Sequence, residues 1–406
     1  MPQQLAKNVR GPLVLAACWV AIFWPGAFVF GLPGVLSGFW QQTFGVGHMA
    51  IGRVLFCILT STGIFMFVTG RIQDRIGPTK LAIAGAVINA AAPYLLVAAK
   101  SMQMVYLWAF ITGGASCLLY LPVITVAQLW YPGRRGLASG IVNLSFGLSS
   151  AIMAPVFNSI LHHAGHVHLI IIISCLSLGF GIISALFIRR PDTVATGAAC
   201  TPGTSGSLPC AAPMQSLKTR NFWLIWVTYA TAGAAGISMV THAVGFGLAR
   251  GLSATQAILI LSAFSLTNGL SRVISGYISD SLGRKQTLAV TFLLSGLAYY
   301  SMNHLEGLTL WLIWAAVIGF AFGTLFAVSA PLLSDIFGMA YFGTIFGMIF
   351  TAYGFFAGVL GPWVSGYWLD LTGSNFTIVF TYLGTLSLIA AVMIGFVKQS
   401  DSPKSG

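Results

Sequence analysis

The sequence predicts an all-α polytopic membrane protein of twelve transmembrane helices, arranged as two six-helix bundles that repeat one another. Three observations carry this. The 406 residues are 57% hydrophobic and only 6% charged, with a mean hydropathy of +0.89, which excludes a soluble globular domain. Apolar stretches of about 20 residues, the length that crosses ~30 Å of hydrocarbon, recur along the whole chain. A Gly-, Pro-, Ser- and Thr-rich segment near the middle then separates two halves whose motifs recur at a nearly constant offset.

In chain order, the first six spans are 12–36, 50–70, 79–99, 102–128, 136–159 and 167–189. Span 1 follows Lys7 and Arg10 and carries no small-residue cleavage site, so it reads as a retained span rather than a signal peptide. The polar stretch within 191–218 is expected to be a flexible cytoplasmic linker between an N-terminal bundle, 1–190, and a C-terminal bundle, 219–406. The second six spans are 221–247, 254–279, 286–304, 308–333, 341–367 and 374–397.

The net charge of +12 sets topology rather than marking a nucleic-acid surface. With both termini cytoplasmic, the inner side holds Lys7, Arg10, Arg71, Arg75, Lys80, Arg134, Arg135, Arg189, Arg190, Lys218, Arg220, Arg284, Lys285, Lys398 and Lys404. The outer loops hold Arg53, Lys100 and Arg250, a bias of 15 to 3 that fits an inner (plasma) membrane protein. The basic residues therefore imply a lipid bilayer as partner, and no nucleic acid.

Cys18, Cys57, Cys117 and Cys175 lie in spans, and Cys200 and Cys210 lie in the linker. No CxxC or Cys/His ligand spacing occurs, so neither disulfide nor metal is expected. His162, His163, His166 and His168 are placed in the outer loop between spans 5 and 6 as interfacial residues. No nucleophile–base set or nucleotide-binding loop is present, so neither an enzyme nor a cofactor is implied.

The two halves match in sequence. Gly70-Arg-Ile-Gln-Asp74-Arg75-Ile-Gly77 follows span 2, and Gly276-Tyr-Ile-Ser-Asp280-Ser-Leu-Gly283-Arg284-Lys285 follows span 8, offset by 206. Gly136, Gly140, Gly147 and Pro155 fall 207 residues before Gly343, Gly347, Gly354 and Pro362. A parallel repeat of six spans places a substrate site near the midplane between the halves. The same glycines also serve close helix packing. The Asp of each Gly-x-x-x-Asp-x-x-Gly loop can accept hydrogen bonds from helix N-termini, which makes Gly70, Asp74, Arg75, Gly77, Gly276, Asp280, Gly283 and Arg284 gating or structural residues rather than substrate ligands.

This doubled loop motif resembles the signature of the major facilitator superfamily. Within it, the chain resembles the monocarboxylate transporter family in three places. These are Phe30-Gly-Leu-Pro33 in span 1, Tyr131-Pro-Gly-Arg134-Arg135-Gly-Leu-Ala138-Ser-Gly140 at the entry to span 5, and Asn268-Gly-Leu-Ser-Arg272 in span 8. The resemblance implies proton-coupled carriage of lactate- or pyruvate-like acids. Two departures bear on the coupling: Gly34 stands where animal members carry a lysine, and Asn268 where the family carries an acid.

Arg272 is the one lysine or arginine deep in a span, seven residues before Ser279 and so about 10 Å inside the boundary. A guanidinium cannot be neutralised by deprotonation, and at membrane depth it costs at least ~3 kcal/mol. One reading is an arginine snorkelling to the interface. The other is an anion anchor, since no Asp or Glu lies mid-span and a carboxylate would pair bidentately with the fork. Asn268 lies one turn earlier on the same face.

His242 in span 7 is either a satisfied structural histidine or a substrate donor and proton carrier. Tyr120 and Asn143 are the polar candidates of the first half, and Phe322, Phe326, Phe350 and Tyr353 a candidate apolar wall. A single core cation, with no Lys or Arg in span 11, favours a small monocarboxylate over a dicarboxylate. The expected function is secondary transport of small monocarboxylates by alternating access. The alternatives are an oxalate/formate-like organic-anion antiporter, a drug-efflux carrier and a non-transporting sensor.

Overall fold

The computed structural model describes residues 2–46, 48–191, 212–373 and 375–398. Most of the expected linker, with Cys200 and Cys210, lies outside the described residues, as does the side chain of Asp74. By contacts the chain divides into two compact units, Met1–Gly197 and Ala198–Gly406.

Unit 1 is built from α1 (Arg10–Phe44), α2 (His48–Ile76), α3 (Pro78–Ala91, with a further turn at Tyr94–Val97) and α4 (Met102–Trp130), followed by the continuous helical run Arg135–Phe187. That run breaks at Gly165, where φ 79° and ψ 171° leave helical space, so it comprises α5 (135–164) and α6 (166–187). Unit 2 holds α7 (Arg220–Ala249), α8 (Ala254–Leu282), α9 (Arg284–His304), α10 (Leu308–Phe337), α11 (Phe342–Leu371) and α12 (Phe376–Gly395).

Ten helical runs are long and apolar enough to cross a membrane among the described residues. One of the ten contains both α5 and α6, and α9 is not among them. At ~1.5 Å per residue, the 21 residues of α9 still reach about 31 Å. The protein is therefore an integral, all-α membrane protein.

The spacing expected between spans 5 and 6 is corrected by the structure. His162, His163, His166 and His168 sit on helical turns around Gly165, not in an extended loop. One glycine with positive φ reverses the chain, which a side-chain-bearing residue would do only under strain. His166 stacks on Phe39 of α1 at 4.7 Å.

Local chemistry explains the remaining boundaries. Ser253 and Gln256 form a reciprocal capping box at the start of α8, and Thr219 and Asn375 cap α7 and α12. In α1 a π turn spans Ala27–Gly31, with the Leu32 N–H donating to Ala27 O. Pro33 follows and brings no N–H of its own, so the ladder there is already irregular. Beneath it, Trp24, Phe28, Leu32, Leu36 and Trp40 point one face of α1 into the core, where Trp40 meets Trp108 at 5.9 Å.

The repeat is written into the contacts as well as the motifs. A Cβ on Gly113 of α4 would strike Ile58 O and Ser61 of α2, and one on Gly319 of α10 would strike Phe264 O and Thr267 of α8. All three pairs of positions differ by 206. Ser61 Oγ donates to Phe110 O, and at the same offset Thr267 Oγ1 donates to Ala316 O. Gly26 lies against Phe146 as Gly233 lies against Tyr353, offset by 207. Small residues at these crossings let the backbones approach closely, which is how helices associate without a hydrophobic driving force.

Candidate functional site

Helices α8 and α10 set the position of Arg272. Gly319 receives the backbone at Phe264, and Gly323 receives Asn268 O and Ser271 Oγ. Continuing this ladder by one turn brings Arg272 over the ring of Phe326, with Cζ 5.4 Å from the centroid. Its Nη2 donates to Asn268 Oδ1 at 3.4 Å, a long bond consistent with i,i+4 spacing on one helix. Arg272 is 4% exposed, and among the described residues it is the one buried lysine or arginine. A head group lifted to the interface would be exposed, so the snorkelling reading does not describe this side chain.

Phe326 in turn belongs to an aromatic cluster. Phe326 meets Phe322 edge-on at 5.2 Å, Tyr353 at 5.2 Å and Phe350 at 6.3 Å, and Phe350 meets Tyr353 at 5.4 Å. All four rings are buried. Phe350 and Tyr353 come from α11 where the α-helix gives way to a π segment at Ala352–Ala357. Irregular turns of this kind recur at functional sites. Of the residues singled out from sequence, the structure thus gathers Arg272, Asn268, Phe322, Phe326, Phe350 and Tyr353 into one cluster.

His242 has a different neighbour. Its Nε2 lies 2.7 Å from Ser365 Oγ on α11, and the Ser365 hydroxyl donates to Gly361 O at 2.7 Å. With that proton committed, Ser365 accepts, and Nε2 is the nitrogen that carries the donated proton. Ser365 had no signal in the sequence beyond its place in an apolar span.

In unit 1, Tyr120 OH donates to Asn143 Oδ1 at 2.8 Å, and Asn143 Nδ2 donates to Ser139 O at 2.9 Å. Tyr120 and Phe146 also meet at 5.9 Å. The repeat makes the correspondence explicit. Tyr120 and Phe146 of unit 1 are the counterparts of Phe326 and Tyr353, at offsets of 206 and 207. The counterpart of Arg272, at 206, is buried Met66. One locus was thus elaborated with a cation in unit 2 and with a neutral tyrosine–asparagine pair in unit 1.

The motif after α8 forms an ion-pair node. Arg284 Nη1 contacts Asp280 Oδ1 at 2.7 Å and Ser279 Oγ at 3.2 Å, while its Nε contacts Asp335 Oδ2 at 2.6 Å. Helices α8, α9 and α10 are joined at this point. Gly283 adopts φ 98° to turn the chain between α8 and α9, and Gly77 adopts φ 87° at the corresponding place in unit 1. Asp335 is a member that sequence reasoning missed; it stood at the end of an apolar span with no motif around it. Among the described residues no three His, Cys, Asp or Glu side chains gather in a metal-binding group.

Comparison with known proteins places this architecture. The family profile described as Major Facilitator Superfamily matches residues 18–253 and 235–406. The oxalate:formate antiporter of Oxalobacter formigenes is 26% identical over 341 residues, 81% of this chain and 77% of that protein. Monocarboxylate transporter 13 of Bos taurus is 25% identical over 381 residues, 91% of this chain and 87% of its own. Among solved structures, the Escherichia coli fucose:proton symporter matches 96% of this chain and 99% of its own, with a TM-score of 0.72 at 14% identity. The human organic anion transporter MFSD10 matches 95% and 99%, with a TM-score of 0.70 at 14% identity, and both share the fold.

Proposed function

This chain belongs to the Major Facilitator Superfamily, and from that premise we propose that it is a secondary active transporter of small monocarboxylates working by alternating access. The observation that carries the reading is the buried Arg272 guanidinium, steadied by Asn268 and by Phe326 of the aromatic cluster. The fork binds the carboxylate through charge-assisted hydrogen bonds, and Phe322, Phe350 and Tyr353 enclose a short alkyl tail. In unit 1, Tyr120 and Asn143 form the neutral hydrogen-bonded pair at the equivalent locus. The loops bearing Asp74 with Arg75, and Asp280 with Arg284, act as gates at the cytoplasmic ends. Both termini lie in the cytoplasm of a plasma (inner) membrane protein, a placement supported by the 15-to-3 distribution of cations.

The test is uptake into proteoliposomes of labelled C1–C4 mono- and dicarboxylates, parent against Arg272→Gln. We expect monocarboxylate uptake that the variant loses. Equal transport by the variant would overturn the reading.

A second reading, organic-anion exchange, is favoured by one specific likeness, that to the oxalate:formate antiporter. Counterflow distinguishes the two: an exchanger takes up label only with substrate on the opposite side. Coupling to a proton through His242 is a further part of the proposal. It predicts that an imposed pH gradient drives uptake in the parent and not in His242→Ala.

A further inference from the structure

Three chain segments that are far apart in sequence meet at one corner of unit 1. Trp130 Nε1, at the end of α4, donates to Arg189 O at 2.8 Å, and Thr79 Oγ1, at the start of α3, donates to Ile188 O at 2.6 Å. These two bonds occupy the carbonyls just beyond α6 and lock the three segments together. Each segment carries a basic side chain beside its bond: Lys80, Arg134 and Arg189, all exposed. Arg189 Nε donates to Leu186 O at 3.2 Å. The sequence from Pro78 to Pro191 contains no Asp or Glu, and Asp74 and Asp192 flank that stretch.

The corner stands where three apolar membrane-crossing helices end, which is the level of lipid headgroups, and Trp130 is a typical residue of that level. We propose that this corner binds the phosphate of an anionic phospholipid headgroup. Three cations are carried by separate segments that the two bonds hold together, so each is offered to a phosphate from its own stretch of chain. A zwitterionic headgroup gains less, because its own ammonium competes with the protein cations. Each cation near the membrane surface is expected to contribute about a fivefold preference for the anionic lipid.

The test uses the full-length protein reconstituted in phosphatidylcholine doped with phosphatidylglycerol, followed by quantification of co-purifying lipid by native mass spectrometry. Expected is enrichment of phosphatidylglycerol on the parent. The triple variant Lys80→Gln/Arg134→Gln/Arg189→Gln should lose it, and a control removing Arg53, Lys100 and Arg250 should retain it. If the triple variant fails to fold, the three single variants replace it, each with a partial loss. Unchanged enrichment after removal of the cations overturns the proposal. Displacement of the lipid by millimolar inorganic phosphate also overturns it, because the site would then be one for free phosphate.

Discussion

The Arg272 guanidinium lies over the ring of Phe326, 5.4 Å from Cζ to centroid, on a helix that Gly323 allows α8 to approach. The aromatic face holds the cation against α10. Phe326→Leu should therefore lower initial uptake about fivefold, the kinetic equivalent of ~1 kcal/mol. Phe326→Tyr should transport close to the parent. Identical rates for the leucine variant would show that the ring does not hold the cation.

Gly323 has no room for a side chain. A methyl there meets Asn268 O and Ser271 Oγ and must push α8 away from α10. Gly323→Ala is expected to cost about 1–3 kcal/mol of stability, by overpacking, and to impair uptake because Arg272 rides on the displaced helix. Gly34→Ala is the control, since nothing lies within 4 Å of a methyl at that position. Thermal melts of both variants in detergent would settle the comparison.

Arg284 serves two carboxylates at once. Arg284→Gln leaves Asp280 and Asp335 without it and should lower stability by about 1–2 kcal/mol. Asp335 is about one-third exposed (36%), so its ion pair is partly screened and Asp335→Asn should cost under ~1 kcal/mol. Added salt should shrink the second effect more than the first. Equal losses, or none, would remove the node as a tie between helices.

The His242–Ser365 bond separates a structural role from a proton-carrying one. Ser365→Ala should lower the melting temperature by the equivalent of ~1 kcal/mol, as the imidazole N–H loses its acceptor. His242→Gln keeps an amide donor and should melt near the parent. If pH-driven uptake also survives in His242→Gln, the proton travels elsewhere.

Much of this protein was legible in the chain. Span lengths and the division into halves are sums of local hydropathy and polarity, and such sums do not depend on which helices later touch. The duplication was equally plain, because Asp74 and Asp280 with their glycines survive at matching offsets. Arg272 was conspicuous because a permanent cation in an apolar stretch has a high cost wherever the helix sits. Gly165, in contrast, looked like part of a loop, and only its backbone angles revealed a one-residue reversal between two helices.

Only the tertiary structure decided the partners. That Phe326 lies beneath Arg272, that Asp335 closes on Arg284, and that Ser365 receives His242 each depend on helix rotation and close approach. Those follow from where glycines allow backbones to meet, and aromatic or serine residues in apolar spans look alike until packing assigns their faces. The sequence by itself determined a duplicated twelve-span membrane protein with one expensive cation. The fold decided which side chains surround that cation, because contacts between distant segments are properties of packing rather than of any local stretch.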